Sequence, residues 1–257
     1  MRKYLLIGIL LLVSSTAKAQ RWKLTRYEAI VGVGFANYFG DIGGTSPTKN
    51  NLFGLRDINL LTTRPALMAG ARYKTTEVNA IKLNLILLMV GGTDKGGDNY
   101  YRRYRFNTYG LEHTLQYEHA ILKEERRRSS FAIYNRRGLL STYSNKGVYA
   151  FGGLGGVAYY SNIKRDPSDY VPRIDIVKKG FHYSPAILGG IMVKLIYDNR
   201  YAFSAEIGMR YLFSDYLDGL STSVSRANDI YYYTNFSIIY RIKTSRKGYP
   251  ILFRRYY

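Results

Sequence analysis

The 257-residue chain has no cysteine. That absence excludes a disulfide scaffold, a thiolate metal site and a cysteine nucleophile. Acid is in short supply: 18 Asp+Glu face 38 Lys+Arg, for a formal net charge of +20. Long apolar runs are missing as well. The mean hydropathy is negative, against a polytopic helical membrane protein with its repeated apolar runs of about 20 residues. What is abundant is tyrosine, with 27 residues, and glycine, with 25. An apolar share of 46% excludes a disordered basic protein in spite of the charge. The length admits one domain or two.

The first residues read as an export signal. Arg2 and Lys3 precede an apolar core over residues 4–13, and Ala17-Lys18-Ala19 offers the small residues of a cleavage site. Cleavage is expected after Ala19, leaving a chain from Gln20 with a net charge of +17. The core is too short to span a bilayer as a helix, and no cysteine follows it to carry a lipid anchor. Export makes nucleic acid a poor fit as a partner.

Beyond Gln20 the hydrophobic period is two. From Tyr201 to Phe213, Tyr201, Phe203, Ala205, Ile207, Met209, Tyr211 and Phe213 share one face, and Ser204, Glu206 and Arg210 share the other. Residues 230–242 and 106–121 repeat the pattern. Weaker versions cover 27–39, 64–75, 78–91, 147–161 and 183–198, for eight strands. Most run to 12 residues or more, longer than the five or six usual in soluble sheets and suited to crossing a bilayer at a tilt. Tyrosine and phenylalanine cluster near strand ends, as in interfacial girdles. Connections alternate between short (75–79, 198–200) and long (40–63, 92–105, 162–182, 214–229), with 122–146 as a long exception on the short-turn side. The expected fold is all-β: an eight-stranded antiparallel transmembrane β-barrel over residues 20–243, with a link at 122–146 and a basic tail at 244–257.

A soluble barrel with an apolar interior also has period two. The polar face separates the cases. It carries Glu28, Arg72, Lys82, Glu112, Glu118, Lys194, Glu206, Arg210 and Arg241. Four acids and five bases on the less bulky face fit a narrow lumen packed with paired charges, since eight strands leave a bore that side chains just fill. The expectation is a plugged barrel in the outer membrane, not a pore.

The excess positive charge sits on the short-turn side. Arg21, Lys23 and Arg26 precede the first strand. The link holds Lys123, Arg126, Arg127, Arg128, Arg136, Arg137 and Lys146 against Glu124 and Glu125, and the tail holds Lys243, Arg246, Lys247, Arg254 and Arg255. Together these give +13 of the +17. A basic inward face implies an acidic periplasmic partner or anionic inner-leaflet headgroups.

Three stretches resemble the outer-membrane β-barrel family typified by PorG, an accessory component of the type IX secretion machinery of Bacteroidota. Residues 34–41, with Asn37, Tyr38, Gly40 and Asp41, resemble its first-strand Gly-x-x-Asn-Tyr-x-Gly-Asp signature. Ala71-Arg72-Tyr73-Lys74 leads to a strand ending Gly91-Gly92-Thr93-Asp94. The run from Arg210 to Ser221, with Asp215, Tyr216 and Asp218, resembles the family's Asp-Tyr-Leu-Asp-Asp-Val-Ser run, with Gly219 in place of the second Asp of a pair. The resemblance implies an outer-membrane barrel touching the periplasmic ring subunits of the secretion complex, with no cofactor, no metal, no catalytic residues and no small-molecule substrate.

Other chemistry is thinner. His113 and His119 read as interfacial side chains. His182 and Ser184 stand at the spacing of a His-x-Ser pair such as lipid A deacylases use, with no carboxylate to complete it. Asp41, Asp215 and Asp218 would offer oxygen ligands to Ca²⁺ near the outer mouth, although Asx turns account for them more simply. The Gly152–Gly156 run is followed by no helix and is not a phosphate loop.

Overall fold

The computed structural model describes residues 21–39, 42, 63–95, 100–124, 145–167, 175–222, 228–245 and 248–251. The signal segment, most of the link and most of the basic tail lie outside them. Eight long strands form the barrel: β1 (Tyr27–Phe39), β2 (Arg64–Lys74), β3 (Asn79–Thr93), β4 (Tyr104–Leu122), β5 (Asn145–Arg165), β7 (Gly180–Ile196), β8 (Tyr201–Leu212) and β10 (Ile230–Ile242). Two three-residue strands, β6 (Asp175–Val177) and β9 (Leu220–Thr222), form a separate ribbon. The barrel order is β1-β10-β8-β7-β5-β4-β3-β2, antiparallel throughout, and β1 closes on β10 from Tyr27↔Ile242 to Phe39↔Ile230. Closure leaves no unpaired sheet edge.

The side-chain distribution is inverted relative to a soluble barrel. Along β3, Leu83, Leu85 and Leu87 are exposed at 54%, 52% and 59%, while Lys82, Asn84 and Ile86 between them are buried. Val31, Val33 and Phe35 on β1, Ile187 and Ile191 on β7, and Phe236 and Ile238 on β10 continue the apolar outer band. In water such a band would be a large exposed apolar patch; in lipid it is the solvent-matched surface. Tyr109 and Tyr117 of β4 lie near opposite edges of the band, both facing out.

The ladders differ from the sequence expectation at their ends. β5 runs to Arg165, four residues past the expected limit, and β4 begins at Tyr104, two residues early. In that extension the outward residues Asn162 and Lys164 are polar and Ile163 is the only apolar residue, on the inward face between Ser161 and Arg165. The contrast seen along the rest of the wall is lost, although the pairing Tyr104↔Arg165 to Thr108↔Ser161 is continuous. The outer connections 162–182 and 214–229, expected as plain loops, contribute β6 and β9. The tight turns are built as expected. Asp198 Oδ1 accepts the Arg200 and Tyr201 amides at 2.6 and 2.5 Å. These two backbone bonds hold the Asp198 carboxyl below its ordinary range. Thr76 Oγ1 accepts the Val78 and Asn79 amides in the other turn.

One glycine pair is sterically required. Gly190 of β7 lies opposite Gly208 of β8, and a Cβ on either would meet the Phe151 ring at 2.7–2.8 Å. The pair makes room for an aromatic ring within the lumen.

Candidate functional site

The lumen is crossed by one network of ion pairs. Glu28 of β1 accepts from Arg72 of β2 at 2.9 Å and from Lys194 of β7 at 2.7 Å, with Arg241 of β10 at 3.7 Å. Arg72 also bonds Glu118 of β4 at 2.5 Å. Lys82 of β3 reaches Glu206 of β8 at 2.5 Å. Glu206 lies 3.6 Å from Arg210, whose Nε is 3.4 Å from Glu112 of β4. The Tyr231 hydroxyl of β10 donates to the other oxygen of Glu112 at 2.5 Å.

In the barrel order β3 stands opposite β8, and β4 opposite β10. The Lys82–Glu206 and Tyr231–Glu112 contacts therefore span the full bore. All nine charged residues expected inside are buried, Arg241 being the most accessible at 8%. Burying an ion costs several kcal/mol, roughly recovered only when partners and hydrogen bonds are well placed. Here each charge has at least one opposite neighbour within 4 Å.

Three members of the network were not singled out from sequence. Lys74 bonds Glu124 at 2.7 Å and lies 3.3 Å from Glu28. Glu124 also accepts from Lys194 at 2.9 Å and from the Tyr149 hydroxyl at 2.6 Å. The Arg72 guanidinium lies over the Tyr149 ring at 4.6 Å. Lys74 shares the parity of Arg72, and that signal was readable. Glu124 was counted with the basic link, because it lies two residues beyond β4 and only the folded chain turns it back over the bore. Burial pushes its carboxyl up, but the Lys194, Lys74 and Arg72 charges outweigh this and hold it well below the usual range.

The loop end is closed by a different device. Tyr38 of β1 donates toward Asp218 Oδ2 and Asp229 Oδ1, each at 2.7 Å. Asp229 accepts the Leu217 amide at 2.8 Å, and Asp218 accepts the Leu220 amide at 2.8 Å as an Asx turn. Thr108 donates to the Leu217 carbonyl at 2.6 Å. These bonds fold the Asp215–Leu220 segment over the mouth and drive Leu217 and Leu220, both fully buried, into the bore. Gly219 holds φ at +78° with Ser161 Oγ 2.5 Å from where a Cβ would stand. The position where the resembled family carries a second Asp is thus one that glycine suits here. Tyr216 stacks on His182 at 5.9 Å, with Lys178 at 4.4 Å from its centroid. Asn37 accepts from Thr63 at 2.6 Å. Gly40 and Asp41 lie outside the described residues, and with Asp41 so does the expected Ca²⁺ grouping of Asp41, Asp215 and Asp218. Among the described residues no cluster of three or more His, Cys, Asp and Glu is arranged to hold a metal.

Among the described residues no hydrogen bond joins His182 to Ser184. The His182 ring stacks on Tyr216 and meets the Tyr159 ring at a tilt, centroids 5.6 Å apart. Ser184 is buried on the lumen side, and its Oγ donates to the Pro185 carbonyl at 2.9 Å. His113 faces outward from β4 with Tyr183 stacked on it at 6.0 Å, and His119 bonds Asn79 at 2.7 Å.

Of the residues expected at a periplasmic partner site, Lys123 is described and exposed. Arg126, Arg127, Arg128, Arg136, Arg137, Arg246, Lys247, Arg254 and Arg255 lie outside the described residues. At the same end Lys23, Lys146, Arg200 and Lys243 are exposed, and Arg26 lies 4.7 Å from the Trp22 ring centroid.

No protein-family model matches the chain, and no curated protein matches it. Solved structures with a similar chain course include the outer-membrane protein OprG of Pseudomonas aeruginosa, at 9% identity and a TM-score of 0.41 over 86% of this chain and 98% of that one. Ail, the attachment invasion locus protein of Yersinia pestis, matches at 8% identity and a TM-score of 0.41, over 84% and 98% of the two chains. The N-terminal β-barrel domain of Pseudomonas aeruginosa OprF matches at 8% identity and a TM-score of 0.40, over 84% and 97%. At this distance the matches bear on neither ligand nor activity.

Proposed function

We propose that this chain is a non-enzymatic outer-membrane barrel that anchors or stabilises a protein-secretion assembly of the type IX kind, contacting its periplasmic ring proteins through a basic surface at the short-turn end. The observation that carries the membrane part is the inversion of the wall, apolar outside and ionic inside. The bore-spanning Lys82–Glu206 and Tyr231–Glu112 contacts and the Leu217 lid favour a rigid anchor over a conduit. The secretion part is supported by the resemblance of the Asp215–Ser221 run and by the +13 gathered on one side. Charge of that density favours an acidic partner and makes association sensitive to salt.

The test is a crosslinking pull-down from native envelopes, repeated after Arg126→Glu, Arg127→Glu and Arg128→Glu together. Loss of ring proteins from the variant, and elution of the wild-type complex by salt, are the expected results. Equal recovery of ring proteins with wild type and variant would reject the charge mechanism. Recovery of none with wild type would leave only a general outer-membrane barrel.

A further inference from the structure

The outer wall is not uniform at its loop end. On β4 and β5 three cross-strand pairs face outward in succession: Tyr109 with Tyr160, Asn107 with Asn162, and Arg105 with Lys164. They run from aromatic through amide to cation. Two like charges directly opposite each other on one face of a ladder destabilise it. Asp166 relieves part of the cost by pairing with Arg105 at 3.0 Å, but Arg105 remains 57% exposed. Lys164 is exposed and has no acidic partner among the described residues. A third base joins them: Arg64 of β2 lies across Gly91 and donates to Asn107 at 3.4 Å. Arg105, Asn107, Tyr109, Asn162 and Lys164 line a polar cleft of about 330 Å³.

The depth of this cleft identifies its ligand class. Tyrosines of an outward girdle sit at the edge of the hydrocarbon. The cation row lies four residues farther along the strand, about 13 Å of chain. At a tilt of roughly 40° that is about 10 Å of height. The headgroup layer on each side of a bilayer is about 5–8 Å thick. Long basic side chains reach back over that difference, so the guanidinium and ammonium groups stand at the level of lipid phosphates. Among the described residues the other wall presents aromatics at this level. At their loop ends β1, β10 and the segment after β8 present Phe39 against Tyr232 and Tyr211 against Phe213.

We infer that the β4–β5 wall carries a binding site for the phosphate of an anionic membrane lipid, held by Lys164, Arg105 and Arg64 with its acyl chains running down past Tyr109 and Tyr160. The site fixes one side of the barrel against a particular lipid and so orients the molecule about its axis. The inference rests on the reading of the wall as lipid-facing, but not on any secretion partner.

Native mass spectrometry of the full chain in neutral detergent, titrated with phosphatidic acid or with phosphatidylcholine, tests it. The expected result is one retained phosphatidic acid per barrel. Its apparent affinity should fall about thirtyfold when Arg105→Ser and Lys164→Ser are combined, at about fivefold for each base lost. A Lys23→Ser, Lys243→Ser control at the opposite end should keep it. Equal adducts on wild type and the Arg105/Lys164 variant, or equal loss in the control, would overturn the site. Excess inorganic phosphate should fail to displace the lipid; displacement would assign the cleft to free phosphate instead. A folded-barrel mobility shift on unheated gels shows that both variants are intact. A chain that needed no detergent at all would refute the lipid-facing reading itself, a separate failure.

Discussion

The two halves of the lumen are filled with different emphasis: ion pairs are concentrated toward the short turns, although Ile30, Ile196 and Ile239 are buried there too. From the short turns up to Arg210 and Glu112 the bore is ionic, with five carboxylates and six bases interleaved across seven strands. Above that level apolar packing predominates, beside the Arg102–Asp94 pair and the Tyr38–Asp218–Asp229 bonds. Ala36, Val90, Phe106, Ile163, Ala186 and Leu212 form a buried cluster that Leu217 and Leu220 complete from the lid. The ionic half holds its geometry by pairing, which is directional and unforgiving of a missing partner. The apolar half holds by close packing, which tolerates substitution if volume is kept. The difference teaches where each kind of damage should register.

The largest effect is expected where one charge serves two partners. Arg72→Met removes the one close partner of Glu118, leaving it only Lys82 at 4.0 Å, and one of several partners of Glu28. It should cost about 3–5 kcal/mol, measured by urea unfolding in lipid vesicles. Replacing both members of the cross-bore pair, Lys82→Met with Glu206→Met, should cost clearly less, because no buried charge loses its only neutraliser: Arg210 then keeps Glu112 and Glu118 keeps Arg72. If the double replacement proves the more damaging, the ionic half is not governed by pairing. Next comes the lid. Leu217→Ala should cost about 2–4 kcal/mol by cavity formation, and limited proteolysis should cut near residues 214–222 while the barrel remains closed. An effect that spreads to the ionic half would mean that the two halves are one packing unit.

The smallest effect concerns the β7–β8 turn. The Asp198 carboxyl is held below its unfolded range by two backbone amides. Its contribution is therefore present above the unfolded value of about 3.9 and lost as pH falls through the lower folded value. Asp198→Ala should be slightly less stable than wild type at neutral pH, and the two should converge in acid. A gap that persists at low pH would remove the carboxylate from the turn's stability.

The barrel itself was legible because its wall alternates without interruption. Leu83, Leu85 and Leu87 against Lys82, Asn84 and Ile86 is enough to set the face and the closure that follows. The nine interior charges were legible for the same reason. What escaped the sequence lies where alternation stops carrying contrast. From Asn162 to Arg165 Ile163 is the lone apolar residue, on the buried face, and the outward Asn162 and Lys164 are polar, so the top of β5 looked like loop. β6 and β9 are three residues each, stabilised by pairing with one another across 42 residues of chain, a contact that no local pattern encodes. Glu124 sits among basic neighbours, and its return into the bore is fixed by Lys74 and Lys194 on distant strands. In the loop-end site, Tyr38 and Asp218 were readable as motif residues, but the lid they hold with Asp229 depends on three segments meeting.

The central claim is the inverted wall, and the lack of native cysteine allows a direct test. Single cysteines at positions 82 to 87 of β3, spin-labelled in vesicles, should alternate. Positions 83, 85 and 87 should show high collision rates with oxygen and low rates with a water-soluble nickel reagent, and positions 82, 84 and 86 should be shielded from both. A uniform profile, or oxygen access at the even positions, would contradict the account.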